Sequence, residues 1–449
     1  MIEDKKLYLF EKAAVPKAVA SMAIPTMLSS LVMVIYNLAD TYFVGMLNQP
    51  VENAAVTLSA PVLLAFNAIN NLFGIGTSSM MSRALGRKEY DTVRRASAFG
   101  FYCTVFLSFS FSMIYLAAKN PLLSLLGTDA ETLASTAEYM KWTVACGAMP
   151  SILNVVMAYM VRSEGSTVHA SIGTMSGCIL NIVLDPIFIL PQGLGMGAAG
   201  AGFATFLSNC AACLYFFGLL FVRRGKTYVC VDIRQFRMTK DIVKEICGVG
   251  IPASIQNLLN VVGMTVLNNF TSSYGSAAVA AMGIAQKIDM VPMYIALGVS
   301  QGIMPLVSYN YASDNRRRMK QTVVFSAKIT VGALGLIALC FYAGAEFFVG
   351  MFIQNGEIIG YGTRFLRGLC LALPFLNMDF LAVGVFQAVG MGKKAFAFAI
   401  LRKIIMEIPA IYLLNRLLPL YGMAYAQFVT EVILAAAAVI TLRRMFREK

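Results

Sequence analysis

Charge is scarce in this chain. Asp, Glu, Lys and Arg make up only 13% of its 449 residues, against 58% hydrophobic residues, and the mean hydropathy is +0.70. A soluble domain carries about a quarter charged residues. The shortage excludes an ordinary soluble fold and reads as an all-α integral membrane protein. Histidine is rarer still, with His169 alone. There is also no HExxH or metal-spaced cysteine set, which argues against a membrane enzyme, a structural metal or a cofactor. Most of the nine cysteines lie in apolar runs, as small hydrophobes do. Cys210 and Cys213 form a CxxC inside "FLSNCAACLYFFGLL", without flanking basic or turn residues, and read as packing rather than redox chemistry. His169 follows "RSEGSTV" and reads as a loop residue at the entry of a span. A signal peptide is lacking too: "MIEDKKLYLFEKAAVPK" has charges on both sides of a short apolar patch and reads as an amphipathic lead-in.

Long apolar runs are what the chain has instead. A span needs about 20 mainly apolar residues, and twelve are expected, centred near Val32, Asn67, Leu107, Ile152, Leu180, Cys213, Leu259, Tyr294, Leu334, Met378, Pro409 and Ala435. Several are long enough to need tilt or kinks. Prolines 25, 61, 150, 186, 252, 292, 374 and 409 fall in or near them, where each removes a backbone hydrogen bond and permits a bend. Lys and Arg cluster at residues 5–17, 83–95, 162, 223–244, 316–320, 393–403 and 443–449, which are the alternate loops and both ends. The loops near Asn48, Gln192 and Ser273 carry none. By the positive-inside rule both termini are expected in the cytoplasm. The net charge of +13 is this asymmetry, and a nucleic-acid partner is not implied.

The chain also resembles itself. "AIPTMLSSL" from Ala23 matches "GIPASIQNL" from Gly250, and "AAVTLSAPV" from Ala54 matches "AAMGIAQKI" from Ala280. "ALGRKEYDTVRRA" matches "YASDNRRRMKQTV", and "GAGFAT" at Gly200 matches "GMAYAQ" at Gly422. Several weak matches in one register indicate an internal repeat. The expected domains are an N-terminal six-helix lobe (1–222), a cytoplasmic linker (223–244) and a C-terminal six-helix lobe (245–449). An even number of spans per repeat gives both lobes one orientation, related by an axis along the membrane normal. That architecture suits alternating access better than a passive channel.

Within this apolar frame the polar groups stand out. From Ala18 to Leu47, Asp40 is the only charged residue. A carboxylate at a helix centre costs about 2.5–3.5 kcal/mol on insertion scales and usually faces a water-filled cavity. "NIVLDPIFI" places Asn181 and Asp185 at i and i+4, on one helix face, and Tyr36 precedes Asp40 in the same way. Counting about 1.5 Å per residue, Asp40, Asp185 and Thr205 reach one level in the outer half of the N-terminal lobe, with Asn154 nearer the midplane. Two acids with amide and hydroxyl partners suit a proton or a sodium ion. Like charges in a low-dielectric site favour the neutral form of one acid; a sodium cage would use ionised carboxylates with neutral oxygens at Asp40, Asn181, Asp185 and Thr205. The bland alternative is helix–helix hydrogen bonding.

The C-terminal lobe lacks an equivalent acid, since Asp40 falls opposite Leu267. It offers Gln256, Asn257 and Asn260 in span seven, Lys287 and Asp289 in span eight, and Asp379 in span ten. Gln256, Asn257, Asn260 and Asp379 are candidates for a substrate cleft. So are Met33, Met264, Met282 and Met290, because flexible thioethers suit a promiscuous apolar pocket. Arg402, Lys403 and Glu407 read as an interfacial network at the start of span eleven.

"IPTMLSSLVMVIYNLADTYFVG", "RALGRKEYDTV", "VRSEGST", "NIVLDPIFI" and "GAGFAT" together resemble the multidrug and toxic compound extrusion (MATE) transporters, the DinF-like prokaryotic branch most closely, over nearly the whole chain. The resemblance implies twelve helices in two lobes forming a V. It implies export of organic, cationic or amphipathic small molecules against inward protons or sodium ions, in a prokaryotic cell membrane, by a protein acting as a monomer in the lipid bilayer. It also implies an N-lobe ion site at Tyr36, Asp40, Asn154, Asn181, Asp185 and Thr205, with Pro25 as a hinge. The NorM-like branch matches less well, its span-seven glutamate falling at or near Asn260. A flippase for a lipid-linked sugar, from the same broad superfamily, is the alternative, though few basic residues lie within spans to line the cationic cavity it would need.

Overall fold

The computed structural model describes residues 2–447, with side chains from Leu7 onward; Met1, Glu448 and Lys449 lie outside it. Most of those described residues are helical, with no strand among them. Among the described residues nine helices are long and apolar enough to span a membrane. Spans one to three are Val15–Gly45, Pro50–Gly86 and Tyr90–Ala117; spans five and six are Thr167–Ile189 and Ala198–Val222. Spans seven to nine are Lys240–Ser272, Ser276–Ala312 and Arg316–Ala343, and span twelve is Gly422–Arg447. Two further spans are broken. Span four is Thr132–Cys146 and Ala148–Ser163, bent by 48°; span ten is Gly356–Cys370 and Leu373–Ala388, bent by 46°. Residues 392–417 form one more continuous helical stretch at the place expected for span eleven. It is less apolar than the other spans because Lys393, Lys394, Arg402, Lys403, Glu407 and Arg416 all lie in it.

The breaks have local causes. Lys141–Cys146 is a π-helical turn, which widens the coil and interrupts the regular ladder. Gly147 follows, where a Cβ would meet the Thr143 carbonyl oxygen at 2.6 Å. Pro150 then lacks the N–H to mend the ladder. In span ten, Pro374 sits in the first turn of the second segment, where its missing N–H costs nothing.

The chain forms two compact units whose boundaries differ from the lobes read off the repeat. One unit holds Leu31–Ser254 with the segment ending at Lys12; the other holds Ala13–Ser30 with the chain from Ile255 onward. The boundary after Lys12 falls between two helices, whereas those after Ser30 and Ser254 fall inside unbroken helices, spans one and seven. In the first unit, the N-terminal half of span seven lies flush on span two: a Cβ on Gly250 would collide with the Leu72 carbonyl, and Ser254 Oγ donates to the Ala68 carbonyl at 2.6 Å. In the second unit, the N-terminal half of span one lies on span eight in the corresponding way. A Cβ on Gly298 would stand 2.6 Å from Met27 Cα. Gly298→Ala is therefore expected to destabilise the protein by about 1–3 kcal/mol through overpacking against rigid backbone. A thermal melt in detergent reads this out, and an unchanged melting temperature would refute the close seat.

The first unit also holds the linker. Glu164, at the end of span four, accepts from Thr227 Oγ1 at 3.0 Å and Tyr228 N at 2.8 Å. Tyr102 donates to the Val231 carbonyl at 2.8 Å, and Tyr228 and Phe236 stack on Tyr90 and Phe99. His169 is not in a loop. It lies in the first turn of span five, between Tyr215 (3.1 Å) and Arg223 (2.7 Å). The helix starts at Thr167, earlier than the polar sequence suggested.

In the second unit, span eight runs along span ten, with Ser300 and Ser308 donating to the Phe380 and Ala388 carbonyls at 2.7 Å each. An apolar cluster of Met282, Ala285, Phe365, Leu366 and Leu369 fills the space between them.

Candidate functional site

The first unit gathers most of the polar groups expected there. Asp40 and Tyr36 come from the half of span one that belongs to this unit. Asp185 is fully buried and Asn181 is 2% exposed on span five. One Asn181 orientation satisfies every neighbour: its nitrogen donates to Asp185 Oδ2 at 3.0 Å and Oδ1 at 3.3 Å, and its oxygen accepts from Thr205 N at 3.1 Å. The i, i+4 spacing has done what it predicted, with the amide and the acid on one face. The Tyr36 phenol reaches the Thr205 side chain and lies in the field of both Asp40 and Asp185. The two carboxylates also feel each other. Asp40 Oδ1 is buried with no hydrogen-bond partner among the described residues.

Asn154 is placed differently. Its amide nitrogen donates to the Pro150 carbonyl at 2.7 Å, the Ser151 carbonyl at 3.1 Å and Asn209 Oδ1 at 3.0 Å. It ties the broken span four to span six, with no hydrogen bond to either carboxylate. Tyr139 takes a place beside them instead: it is 5% exposed and interacts electrostatically with Asp40, Tyr36 and Asp185. Along the sequence Tyr139 carries no signal of this role, because Glu138 and Lys141 flank it. The bend after Cys146 sets its segment at 48° to the rest of span four.

The "GAGFAT" motif gains a physical reading here. A Cβ on Gly202 would stand 3.0 Å from the Tyr139 carbonyl oxygen. That glycine lets span six close on span four, one turn before Thr205. The site is thus a set of two acids, a threonine, an amide and two phenols set among apolar helices, with Asp185, Asn181 and Tyr139 buried and Asp40, Tyr36 and Thr205 half-buried. Such a set can hold a proton or a hard monovalent cation. Among the described residues no group of three or more His, Cys, Asp or Glu could hold a metal ion.

The second unit has a different chemistry. Asp379 does not stand on an open wall: it is 1% exposed, with Arg402 Nη1 at 3.3 Å, and Arg402 Nε lies 2.8 Å from Glu431. Lys403 and Glu407 pair at 2.7 Å. Arg402, Lys403 and Glu407 are buried rather than interfacial, because Leu401–Glu407 is a π-helical turn that carries all three of them into the unit. Glu431 went unremarked in the sequence, although it is the one charge between Gly422 and Thr441. Gln256 accepts from Gln387 at 3.2 Å. Asn257, Asn260, Met33 and Met290 are half-buried, and Met264 is exposed. Met282 is core, locked in the apolar cluster of spans eight and ten. Lys287 is exposed, while Asp289 is buried. Pro25 sits within the unbroken helix of span one, five residues before the unit boundary after Ser30.

The sequence and the helical fold have counterparts among known proteins. The sequence model of the MatE family matches residues 25–187 and again 252–413, the same spacing as the internal repeat. Multidrug export protein MepA of Staphylococcus saprophyticus is 32% identical over 439 residues, covering 98% of this chain and 96% of its own length. MepA of Staphylococcus aureus strain MRSA252 is 31% identical over 440 residues, with the same coverage. An outward-facing multidrug resistance MATE family transporter of the MOP superfamily superposes with a TM-score of 0.93, at 27% identity and 98% coverage of each chain.

Proposed function

This chain belongs to the MatE family of transporters, and from that premise we propose that it exports organic, cationic or amphipathic compounds in exchange for protons or sodium ions. The observation that carries the coupling is the pair of acids, half-buried Asp40 and fully buried Asp185, with Asn181, Thr205, Tyr36 and Tyr139 around them. Two acids in an apolar bundle are too costly to serve as helix glue alone. Taking up a cation neutralises them. Span one, which carries Asp40, then bends near Pro25, and the units change access. Release of the cation to the other side resets the charge. Each charge crossing the membrane is worth about 2.3 kcal/mol per 100 mV. The relatives named for multidrug export support the substrate class. The cell membrane, cytoplasmic termini and monomeric action belong to the same proposal.

The test is efflux of a fluorescent cation, ethidium, from proteoliposomes under a pH gradient or a sodium gradient imposed separately. Export driven by one gradient and lost in Asp40→Asn is the expected result. Full gradient-driven export by well-folded Asp40→Asn would falsify the role of the acid pair. Export under neither gradient, with rescue of cell-envelope polysaccharide synthesis, would favour the lipid-linked sugar flippase.

A further inference from the structure

A third carboxylate of the first unit ties helices together, on a residue to which no role has been given. Glu52 is in the first turn of span two. Its carboxylate reaches two other helices. Oε1 accepts from Ser135 Oγ of span four at 2.8 Å, and Oε2 accepts from the backbone N–H of Ala198, the first residue of span six. The seat is shaped for it. Gly197 has φ +61°, and a Cβ there would lie 2.6 Å from Glu52 Oε2. The loop before it is folded back by Met196 N and Gly197 N, which donate to the Phe188 and Ile189 carbonyls at the end of span five.

What Glu52 holds leads to the site. Ser135 is one turn from Tyr139 on span four, and Ala198 is two turns from Thr205 on span six. At about 1.5 Å per residue the carboxylate stands roughly 10 Å above Thr205. Between these levels the two helices touch at Gly202 and Tyr139. A negative charge on a helix N-terminus is favourable, and bonds from N–H to carboxylate are among the stronger hydrogen bonds. Glu52 therefore fixes the distance between the helices that present Tyr139 and Thr205 to Asp40 and Asp185.

Building on the coupling reading above, we infer that Glu52 is a positioning residue that sets the affinity of the Asp40–Asp185 site for its coupling cation, by clamping spans four and six together at the end nearest that site. It touches neither carboxylate. Its removal loosens the placement of Thr205 and Tyr139 and leaves both acids intact.

The experiment uses the full-length chain in proteoliposomes and follows ethidium efflux against the concentration of the driving cation. Glu52→Ala is expected to raise the half-saturating cation concentration about fivefold, the size of one helix-end charge interaction, with the maximal rate within about twofold of wild type. Glu52→Gln keeps an oxygen acceptor without the charge and should fall between the two. Ser135→Ala, which removes one arm only, should shift the value about twofold, and it carries the test if Glu52→Ala does not fold. An unchanged half-saturation in folded variants, or a lower maximal rate alone, would overturn the assignment. Asp40→Asn run beside them separates the readings. If Asp40→Asn is inactive and Glu52→Ala behaves as wild type, only the Glu52 inference falls. If Asp40→Asn still couples, the acid-pair reading falls first.

Discussion

Asp185→Asn is expected to reduce gradient-driven export by about a hundredfold, close to 2.7 kcal/mol at 1.36 kcal/mol per decade. The substitution keeps size and shape but removes the charge that changes in the cycle. Asp185 is fully buried, and both its oxygens are met by the Asn181 nitrogen. An amide in its place can still accept from Asn181, so the helix pairing of spans five and six should survive. Uptake of a cation needs the carboxylate itself, because Asp40 alone offers one negative charge and its Oδ1 has no partner among the described residues. Ethidium should still bind, so binding by fluorescence and transport by efflux should separate. Retention of more than about a third of wild-type coupled efflux would mean that Asp185 is structural. Loss of binding and transport together, with a lowered melting temperature, would point to damaged packing instead.

Arg402→Met is expected to be the most destabilising single change in the second unit, by about 3–5 kcal/mol. Arg402 is the cation shared by Asp379 and Glu431, and all three are nearly or completely inaccessible. Its removal strands two acids in an apolar bundle. Lys403 cannot replace it, because its amine is committed to Glu407 at 2.7 Å. The expectation has an internal control. Arg402→Met combined with Asp379→Asn and Glu431→Gln removes the stranded charges together, and should recover most of the lost stability, since replacing a buried ion network whole is often near neutral. Thermal unfolding of purified protein in detergent measures both. If the triple variant is no more stable than the single one, Arg402 acts through packing, for instance against the Phe380 ring 5.1 Å away, and not through charge.

Much was legible in the residues themselves, and the reason is the solvent. In a bilayer, length and apolarity dictate helices, because no other element satisfies the backbone there. Spans one to three, five to nine and twelve follow from that rule. The repeat was equally legible, since two copies of one unit keep similar spacing. Asp40, Asn181 and Asp185 announced themselves because an acid in an apolar run is costly, and because i, i+4 spacing is a local property of a helix.

What depended on helices meeting could not be read along the chain. Tyr139 meets the acid pair from the first piece of span four, which a π turn, Gly147 and Pro150 set at an angle to the second. Asn154 went to Asn209, a partner 55 residues away. Asp379, Arg402 and Glu431 come from three helices and show no common spacing; their burial follows from how those helices pack. Met282 and Met264 are alike in sequence, yet one is core and the other exposed. The sequence by itself determined the membrane class, the repeat and the acids that must have a purpose. The tertiary structure alone decided which groups those acids meet, because burial and pairing are properties of packed surfaces and not of spacing along one helix.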